Sequence, residues 1–303
     1  MTPFEETVNL LPQTLRSGVL SLPGEIQNTA EELRLRAGRK LSIVAGGREY
    51  DCIDIRNVQM NDLYTVLERA SQYSVHTILE RMRNGFVTVR GGHRIGICGL
   101  AITEQGRGNG FRQLSSLNIR IAREMKGIAT GIAPKLFENN FFQNALIVAP
   151  PGVGKTTLLR DLIRCISDGI GVPAMRIGVA DERGELGALW DGEAQMDLGN
   201  RTDILEGVPK SDAILMLLRG MNPQIIAMDE ITDATDVNAI LQVVGCGVSL
   251  LATAHGNSIE EMKHRPIYRE LLHRNVFRCA VMIQLSEKGL RTIRVGEIPW
   301  YES

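Results

Sequence analysis

A glycine-rich segment in the middle of the chain combines the residue types of a phosphate-binding loop. It follows the apolar run 145–149 and leads into a helical pattern that begins near residue 157. Its residues are Gly152, Val153, Gly154, Lys155, Thr156 and Thr157. In such a strand–turn–helix, backbone N–H groups converge on phosphate oxygens, the lysine reaches the outer phosphates and the first threonine binds Mg²⁺. The segment therefore predicts a site for ATP and Mg²⁺.

A second motif supplies the acids that such a site needs. The apolar run 224–228 ends in Asp229 and Glu230, which is the Walker B form. Because the carboxyl ends of parallel strands face one crevice, this pair is expected opposite the loop. We assign Asp229, with Thr156, to the Mg²⁺ shell. Glu230 is predicted to orient and deprotonate the attacking water.

Two further apolar runs end in polar residues that are expected at the same edge. One is followed by Asp181, Glu182 and Arg183, which either polarise water, pair with a neighbouring subunit's site or form only local salt bridges. The other ends at His255, which is placed to sense the terminal phosphate. The predicted catalytic residues are thus Glu230, Lys155, Glu182, His255 and Arg183.

Arginines are a third group of interest, because in ring-shaped ATPases an arginine of the next subunit stabilises charge on the transferring phosphate. Arg120 and Arg123, just before the phosphate-binding half, are the leading candidates. The other candidates lie in the C-terminal third and are Arg265, Arg269, Arg274 and Arg278.

Strands and helices alternate from residue 126 onward, which predicts a parallel sheet covered by helices on both faces. The predicted strands are 145–149, 175–181, 224–229, 248–254 and 279–285, and the predicted helices are 155–167, 209–220, 235–244 and 258–273. Residues 281–295, with a turn at Lys288 and Gly289, predict an antiparallel hairpin at the sheet edge. A strand between the two nucleotide motifs is typical of RecA-like and AAA+ cores. The predicted class is α/β, with a RecA-like P-loop NTPase domain at 126–303.

Residues 1–125 have a different pattern and predict a smaller α+β domain. Its predicted helices are 4–16 and 59–84, and its predicted strands are 32–36, 41–45, 86–90, 94–101 and 117–123. The glycine pairs 46–47 and 91–92 are hairpin-turn signals. The Gly-rich stretch 104–110 is interpreted as a loop that leads, with the last strand, into the second domain.

The composition limits the classes of partner and compartment. The 303 residues carry a net charge of -1, so no overall basic field draws the chain to nucleic acid or anionic lipid. No apolar run approaches the roughly 18 residues that cross a bilayer, and the N-terminus lacks a signal-peptide layout. The five scattered cysteines are interpreted as buried apolar residues in a reducing compartment. These features predict a cytosolic protein whose membrane contact is peripheral or through a partner.

The order of the motifs resembles that of the secretion ATPases, which drive type II and type IV secretion and type IV pili. That group carries a P-loop, an Asp box, a Walker B box and a His box in this order. Here residues 181–183 fit the Asp box and residues 252–256 the His box. The likeness is closer still to a sporulation family of endospore-forming bacteria and runs along essentially the whole chain. The most telling segments are 31–36, 91–96, 115–123 and 181–183.

The resemblance implies a cytoplasmic ATPase of the mother cell that works beneath a multiprotein channel to the forespore. It implies hexameric rings with ATP between subunits, and membrane-embedded channel proteins as partners. One departure concerns the base, because secretion ATPases usually end the Walker B box in Gly-Glu whereas this chain has Asp229 and Glu230. Both acids can then come from one motif, as in AAA+ proteins. We favour Glu230 as the base, and Glu182 is the alternative.

Two other functions are open at this point. A RecA-like nucleic-acid translocase or loader would use a basic strip, although only Phe111 interleaves with it as an aromatic and the net charge gives no support. The strip comprises Arg107, Arg112, Arg120, Arg123 and Lys126. The third function is a nucleotide-gated scaffold with little turnover, against which the intact Asp229–Glu230 pair argues.

Overall fold

The chain forms two compact units. The computed structural model describes residues 1–71, 85–104, 107–285 and 291–298. The first unit comprises Met1–Arg123 together with Leu189–Gln195, and the second comprises Glu124–Ala188 and Met196–Ser303. The sequence predicted one division after residue 125 and did not anticipate the excursion at 189–195. The sequence does carry a signal for this excursion, because the pair Asp191–Gly192 is typical of a two-residue hairpin turn. In the structure both residues have the positive φ that such a turn requires.

The described helices and strands are numbered in chain order. The strands are β1 Ala30–Arg36, β2 Ser42–Ala45, β3 Arg48–Asp51, β4 Phe86–Thr88, β5 Arg94–Glu104, β6 Arg107–Arg120, β7 Phe137–Glu138, β8 Phe141–Phe142, β9 Ala145–Ala149, β10 Ile177–Asp181, β11 Leu189–Trp190, β12 Glu193–Ala194, β13 Thr202–Glu206, β14 Ile225–Met228, β15 Ser249–His255, β16 Cys279–Leu285 and β17 Arg291–Glu297. The helices are α1 Pro3–Val8, α2 Gln13–Leu20, α3 Gly24–Thr29, α4 Met60–Ala70, α5 Lys155–Asp168, α6 Lys210–Gly220, α7 Ala234–Gly245, α8 Ile259–Lys263 and α9 Pro266–His273.

The first unit is built on a six-stranded antiparallel sheet in the order β3-β2-β1-β6-β5-β4. Alternate side chains of β1, such as Leu33 and Leu35, point into one core. Leu15 of α2 and Leu63 and Val66 of α4 fill the same core. The unit is therefore α+β, as the sequence predicted.

Two predictions for this unit are wrong in detail. The helix predicted at 4–16 is two helices, because the chain is extended at Pro12 between α1 and α2. The stretch 104–110 is not a linker, since β5 and β6 pair through it, Thr103 with Gly108 and Glu104 with Arg107. Gly108 and Gly110 belong to β6, in an irregular hairpin in which the register shifts at three places. The second half of the helix predicted at 59–84 lies outside the described residues.

The second unit is built on a seven-stranded sheet in the order β13-β10-β14-β15-β9-β16-β17. All neighbouring pairs from β13 to β16 are parallel, and β17 returns antiparallel at the edge. Ala145 and Ile147 of β9 pack with Leu162 of α5 on one face, whereas Leu146 and Val148 pack on the other. Helices thus cover both faces, which confirms the predicted α/β core.

The strands and helices predicted for this unit are confirmed except for one helix, and the strands β7, β8 and β13 were not predicted. The helix predicted at 258–273 is interrupted before Pro266, because Arg265 is extended as a residue before proline prefers to be. Strand β13 was missed, since it lies at the sheet edge and its five residues are only half-buried. The antiparallel β16–β17 hairpin is confirmed, and its predicted turn at Lys288 and Gly289 lies outside the described residues.

Two further expectations concern exposure. None of the described helices is long and apolar enough to span a bilayer. Cys52, Cys165 and Cys279 are buried as predicted, but Cys98 and Cys246 are exposed. Cys246 caps the end of α7, and Cys98 follows the buried Ile97 of β5 and lies on the opposite face.

Candidate functional site

The loop between β9 and α5 turns back over the N-terminus of a 14-residue helix. Gly152 and Gly154 have φ of 76° and 101°, a conformation that glycine adopts at little cost. Gly154 is the N-cap, and no described side chain caps the helix there. The amide N–H groups of the first helical turn are therefore available to bind an anion.

Lys155, His255 and Glu230 form a chain of polar contacts across the carboxyl edge of the sheet. The Lys155 Nζ lies 2.5 Å from His255 Nδ1, and His255 Nε2 lies 3.1 Å from Glu230 Oε2. An ammonium can donate only to an unprotonated Nδ1, and the tautomer that fits both contacts carries its proton on Nε2, where it faces Glu230. The histidine thus joins the loop lysine to the second acid of the Walker B pair.

The electrostatics of this edge favour an anion. Lys155 is buried, and burial lowers the pKa of its ammonium. The negative charges of Glu230 and Asp229 partly offset this effect. A cation that is poorly hydrated and lies at the positive end of a helix gains most from a negatively charged ligand.

Asp229 is held in place by two hydroxyl groups. The Thr253 hydroxyl of β15 donates to Asp229 Oδ1 at 2.7 Å, and the Thr156 hydroxyl lies 3.5 Å from Asp229 Oδ2. One hydroxyl and one carboxylate are the oxygen donors that suit Mg²⁺, which takes its other ligands from water and phosphates. In the described part of the chain no group of three His, Cys, Asp or Glu side chains could hold a metal alone. The residues present therefore fit Mg²⁺ bound together with a nucleotide.

Asp181 lines the same cavity as Asp229 and Glu230, but the loop that follows β10 binds its carboxylate. Its buried carboxylate accepts the backbone N–H groups of Glu185, Leu186 and Gly187 at 2.8, 2.9 and 2.8 Å. Burial raises the pKa of Asp181, and these three hydrogen bonds lower it again. Arg160 of α5 donates twice to the carbonyl of Glu185, at 3.0 and 2.6 Å. Asp181 therefore shapes the loop after β10 and ties it to the nucleotide-site helix.

The next two residues lie at the rim. Glu182 and Arg183 are exposed, and with Asp229 and Glu230 they line a small acidic cavity. Glu182 Oε2 lies 3.7 Å from the Nζ of Lys210. The structure thus places Glu182 and Arg183 near the Walker B acids, on the side away from the loop lysine.

Lys210 is a residue that the sequence analysis missed. Its side chain is 7% exposed, and its Nζ donates to the backbone carbonyl of Glu230. The same Nζ lies 3.7 Å from Glu182 and 3.7 Å from the buried Asp236 of α7. A cation at the first position of a helix opposes the helix dipole, so acids must hold it there. A lysine at the start of a predicted helix was the only signal of this role in the sequence. It is a weak signal, because isolated basic residues are common in loops.

Two hydrogen bonds tie the end of β15 and the segment after β14 to α9 and its N-cap residue. Arg265 Nη1 donates to the carbonyl of His255 at 2.5 Å. The buried Tyr268 hydroxyl of α9 donates to the carbonyl of Ile231 at 2.8 Å. Movement at either strand end would therefore be transmitted to α9.

Most of the predicted finger arginines have partners in their own chain. Arg123 donates to the carbonyls of Gln27 and Ala30, and Arg120 lies 3.6 Å from a carboxylate oxygen of Glu32 while remaining largely exposed. In the C-terminal third, Arg265 pairs with Glu261, Arg274 with Glu270 and Arg278 with Glu138, and Arg269 is exposed. Arg120 thus has more freedom than Arg123 to reach another molecule.

Comparison with known proteins shows relatives along most of the chain. The family model described as "Sporulation stage III, protein AA" matches residues 4–295. Stage III sporulation protein AA of Bacillus subtilis is 36% identical over 275 residues, which cover 90% of this chain and 89% of that protein.

Solved structures show the fold. The pilus retraction motor PilT with bound ADP superposes with a TM-score of 0.60 at 18% identity, covering 92% of this chain and 82% of that one. The ATPase DotB of Legionella pneumophila gives 0.57 at 14% identity, covering 90% and 78%. These likenesses confirm the predicted RecA-like core behind a smaller α+β domain. By the match along nearly its whole length, the chain belongs to the sporulation stage III protein AA family.

Proposed function

We propose that the chain is a P-loop ATPase that hydrolyses ATP with Mg²⁺. One observation carries the proposal: the buried Lys155 of the phosphate-binding loop and the Walker B acids Asp229 and Glu230 meet at one sheet edge, joined through His255. The convergence of a loop lysine, a hydroxyl, a metal-binding acid and a second acid is what phosphoryl transfer to water requires.

The loop residues bind and orient the phosphates. The amides from Gly152 to Thr157 and the ammonium of Lys155 neutralise the triphosphate, and Thr156 with Asp229 holds Mg²⁺. The bound metal offsets negative charge on the phosphates. Thr253 keeps the Asp229 carboxylate pointing toward Thr156, since its hydroxyl occupies the other carboxylate oxygen.

Glu230 is the better candidate for the base. It adjoins the metal-binding acid, and its carboxylate already accepts a hydrogen bond at the loop side of the crevice. Glu182 faces Lys210 instead and is the more exposed of the two. We assign to Glu182 and Arg183 a supporting role at the rim, toward water or a neighbouring subunit.

His255 would couple nucleotide binding to movement. Lys155 cannot keep its contact with His255 Nδ1 while the same N–H group donates to a phosphate. A phosphate that takes this N–H group would break the contact and release the His255 ring to move. Because Arg265 holds the His255 carbonyl, the change reaches α9.

The biological setting follows from the family. Membership in a sporulation family, and the fold shared with a pilus retraction motor, support a motor that powers a membrane channel assembly between mother cell and forespore. We infer a homo-oligomeric ring, hexameric as in the secretion ATPases, located in the mother-cell cytoplasm and bound to the membrane through channel proteins.

The nucleic-acid alternative loses support in the structure. Of the basic strip, Lys126 lies 2.5 Å from Asp197, Arg120 faces Glu32 and Arg123 donates to backbone carbonyls. Paired cations of this kind release few counterions from a phosphate backbone.

Steady-state ATP hydrolysis at increasing protein concentration, with and without DNA, tests the proposal. We expect turnover per chain to rise with concentration, because the ring completes the site, and to be unaffected by DNA. Strong stimulation by DNA would favour a translocase instead. ATP binding without turnover, even in the presence of membrane proteins of the channel, would favour the nucleotide-gated scaffold.

Replacing Lys210 with methionine should lower kcat more than ATP affinity. The change keeps the length of the side chain but removes the cation that holds the Glu230 carbonyl and balances the buried Asp236. Loss of one partner of a buried charge pair costs about 3 kcal/mol or more of stability, so Lys210→Arg is measured alongside and should recover both folding and part of kcat. An unchanged kcat in a folded Lys210→Met protein would contradict the positioning role.

A further inference from the structure

Arg291 begins β17, and its guanidinium lies over the phosphate-binding loop. Its Nη1 is 3.2 Å from the position that a β-carbon on Gly154 would take, and its Cζ is 3.7 Å away. The strand register explains this placement. Met282 pairs with Val148, and Leu285, three residues further along β16, pairs with Arg291. Arg291 therefore lies beyond the carboxyl edge of the sheet, where the loop leaves β9.

A cation in this position is unfavourable unless an anion joins it. The N-terminus of α5 carries the positive end of the helix dipole, and Lys155 at the first helical position adds a full charge. Among the described residues, no side chain pairs with Arg291. Two cations and a row of backbone N–H groups around one gap are the arrangement by which proteins bind phosphate groups.

The geometry points to Arg291 as a same-chain cation that binds the α- and β-phosphates of the nucleotide, an inference that rests on the proposed function. Gly154 lies in the part of a P-loop whose amides hold these inner phosphates, whereas the adjacent lysine reaches the outer ones. The planar guanidinium can bridge two phosphate oxygens, which the point charge of a lysine does less well. Arg291 thus adds affinity for the diphosphate portion that ADP and ATP share.

Equilibrium titration of the full chain with ADP and with ATP tests the inference. In Arg291→Ala we expect both dissociation constants to rise by the same factor, about tenfold to hundredfold, as for loss of a charged hydrogen-bond donor. Arg291→Lys should recover only part of the affinity, because lysine keeps the positive charge but lacks the planar N–H donors of the guanidinium. Arg294→Ala is the matched control. Arg294 is also exposed on β17 but lies three residues away, on the opposite face, and its loss should leave both constants unchanged.

Three results would overturn the inference. They are unchanged affinity in Arg291→Ala, a loss confined to ATP, which would place the guanidinium at the terminal phosphate, and an equal loss in Arg294→Ala. Thermal unfolding of Arg291→Ala should match that of the unmodified chain, because the side chain is exposed.

Lys155→Ala, titrated in parallel, separates the role of Arg291 from the proposed nucleotide site. If it binds ATP normally, the nucleotide site itself is wrong. If it loses ATP while Arg291→Ala does not, only the role of Arg291 fails.

Discussion

Changing Glu230 to glutamine should stop ATP turnover while ATP stays bound. Glutamine keeps the length of the side chain, and its amide oxygen can still accept the hydrogen bond from His255 Nε2 that lies 3.1 Å from Glu230 in the structure. What it cannot do is take a proton from water. Loss of a general base lowers turnover about 10² to 10⁴-fold, which corresponds to roughly 3 to 5 kcal/mol of activation free energy. Binding should persist, because Lys155, Thr156 and Asp229 are untouched.

Two measurements check this expectation. Phosphate release gives turnover, and labelled ATP that remains with the protein through gel filtration gives trapping, with the ring still assembled. Glu182→Gln is the matched control, since it makes the same chemical change at the rim of the same crevice. It should cost less turnover and should not trap ATP. If Glu230→Gln turned over normally and Glu182→Gln did not, the base would be Glu182.

The parts of the site that the sequence predicted are those whose chemistry is local. A loop of this composition can act only at a strand–helix junction, and acids at the end of an apolar strand of a parallel sheet must lie at the same edge. Lys155, Thr156, Asp229, Glu230 and His255 were brought together by these rules alone. The order of these motifs along the chain was sufficient to predict the site, because the carboxyl ends of the parallel strands all lie at one edge of the sheet.

The parts that were missed depend on register and on loop conformation. Arg291 reaches the loop because the antiparallel edge strand begins opposite Leu285, beyond the end of β9, which periodicity does not reveal. Lys210 is drawn into the crevice by the carboxylates of Glu182 and Asp236 and by the backbone carbonyl of Glu230. Asp181 follows an apolar strand just as Asp229 does, yet its carboxylate binds the amides of its own loop. Asp181 and Asp229 are alike in residue type and in their position after an apolar strand, so only the path of the following loop distinguishes them.

Replacing Lys155 with alanine should weaken nucleotide binding and abolish hydrolysis, with little loss of fold. The ammonium is buried, burial lowers its pKa, and it lies at the positive end of α5, so the folded state gains little from its charge. Alanine is also the best helix former. Removing the lysine does cost its attraction to Asp229 and Glu230, which opposes these gains. We therefore expect the unfolding temperature to stay within a few degrees of that of the unmodified chain.

Affinity should change far more than stability, because the lysine's charge is paired with phosphate only in the complex. Loss of a charge-assisted contact weakens ATP binding by about 1.5 to 3 kcal/mol, or roughly tenfold to hundredfold, and hydrolysis should fall to background. Lys135→Ala, an equal charge change at an exposed position of the same unit, should alter neither. ATP titration and thermal unfolding of both variants check the contrast. A large loss of stability in Lys155→Ala would make the lysine structural, and normal ATP binding would remove the basis for an ATPase at this loop.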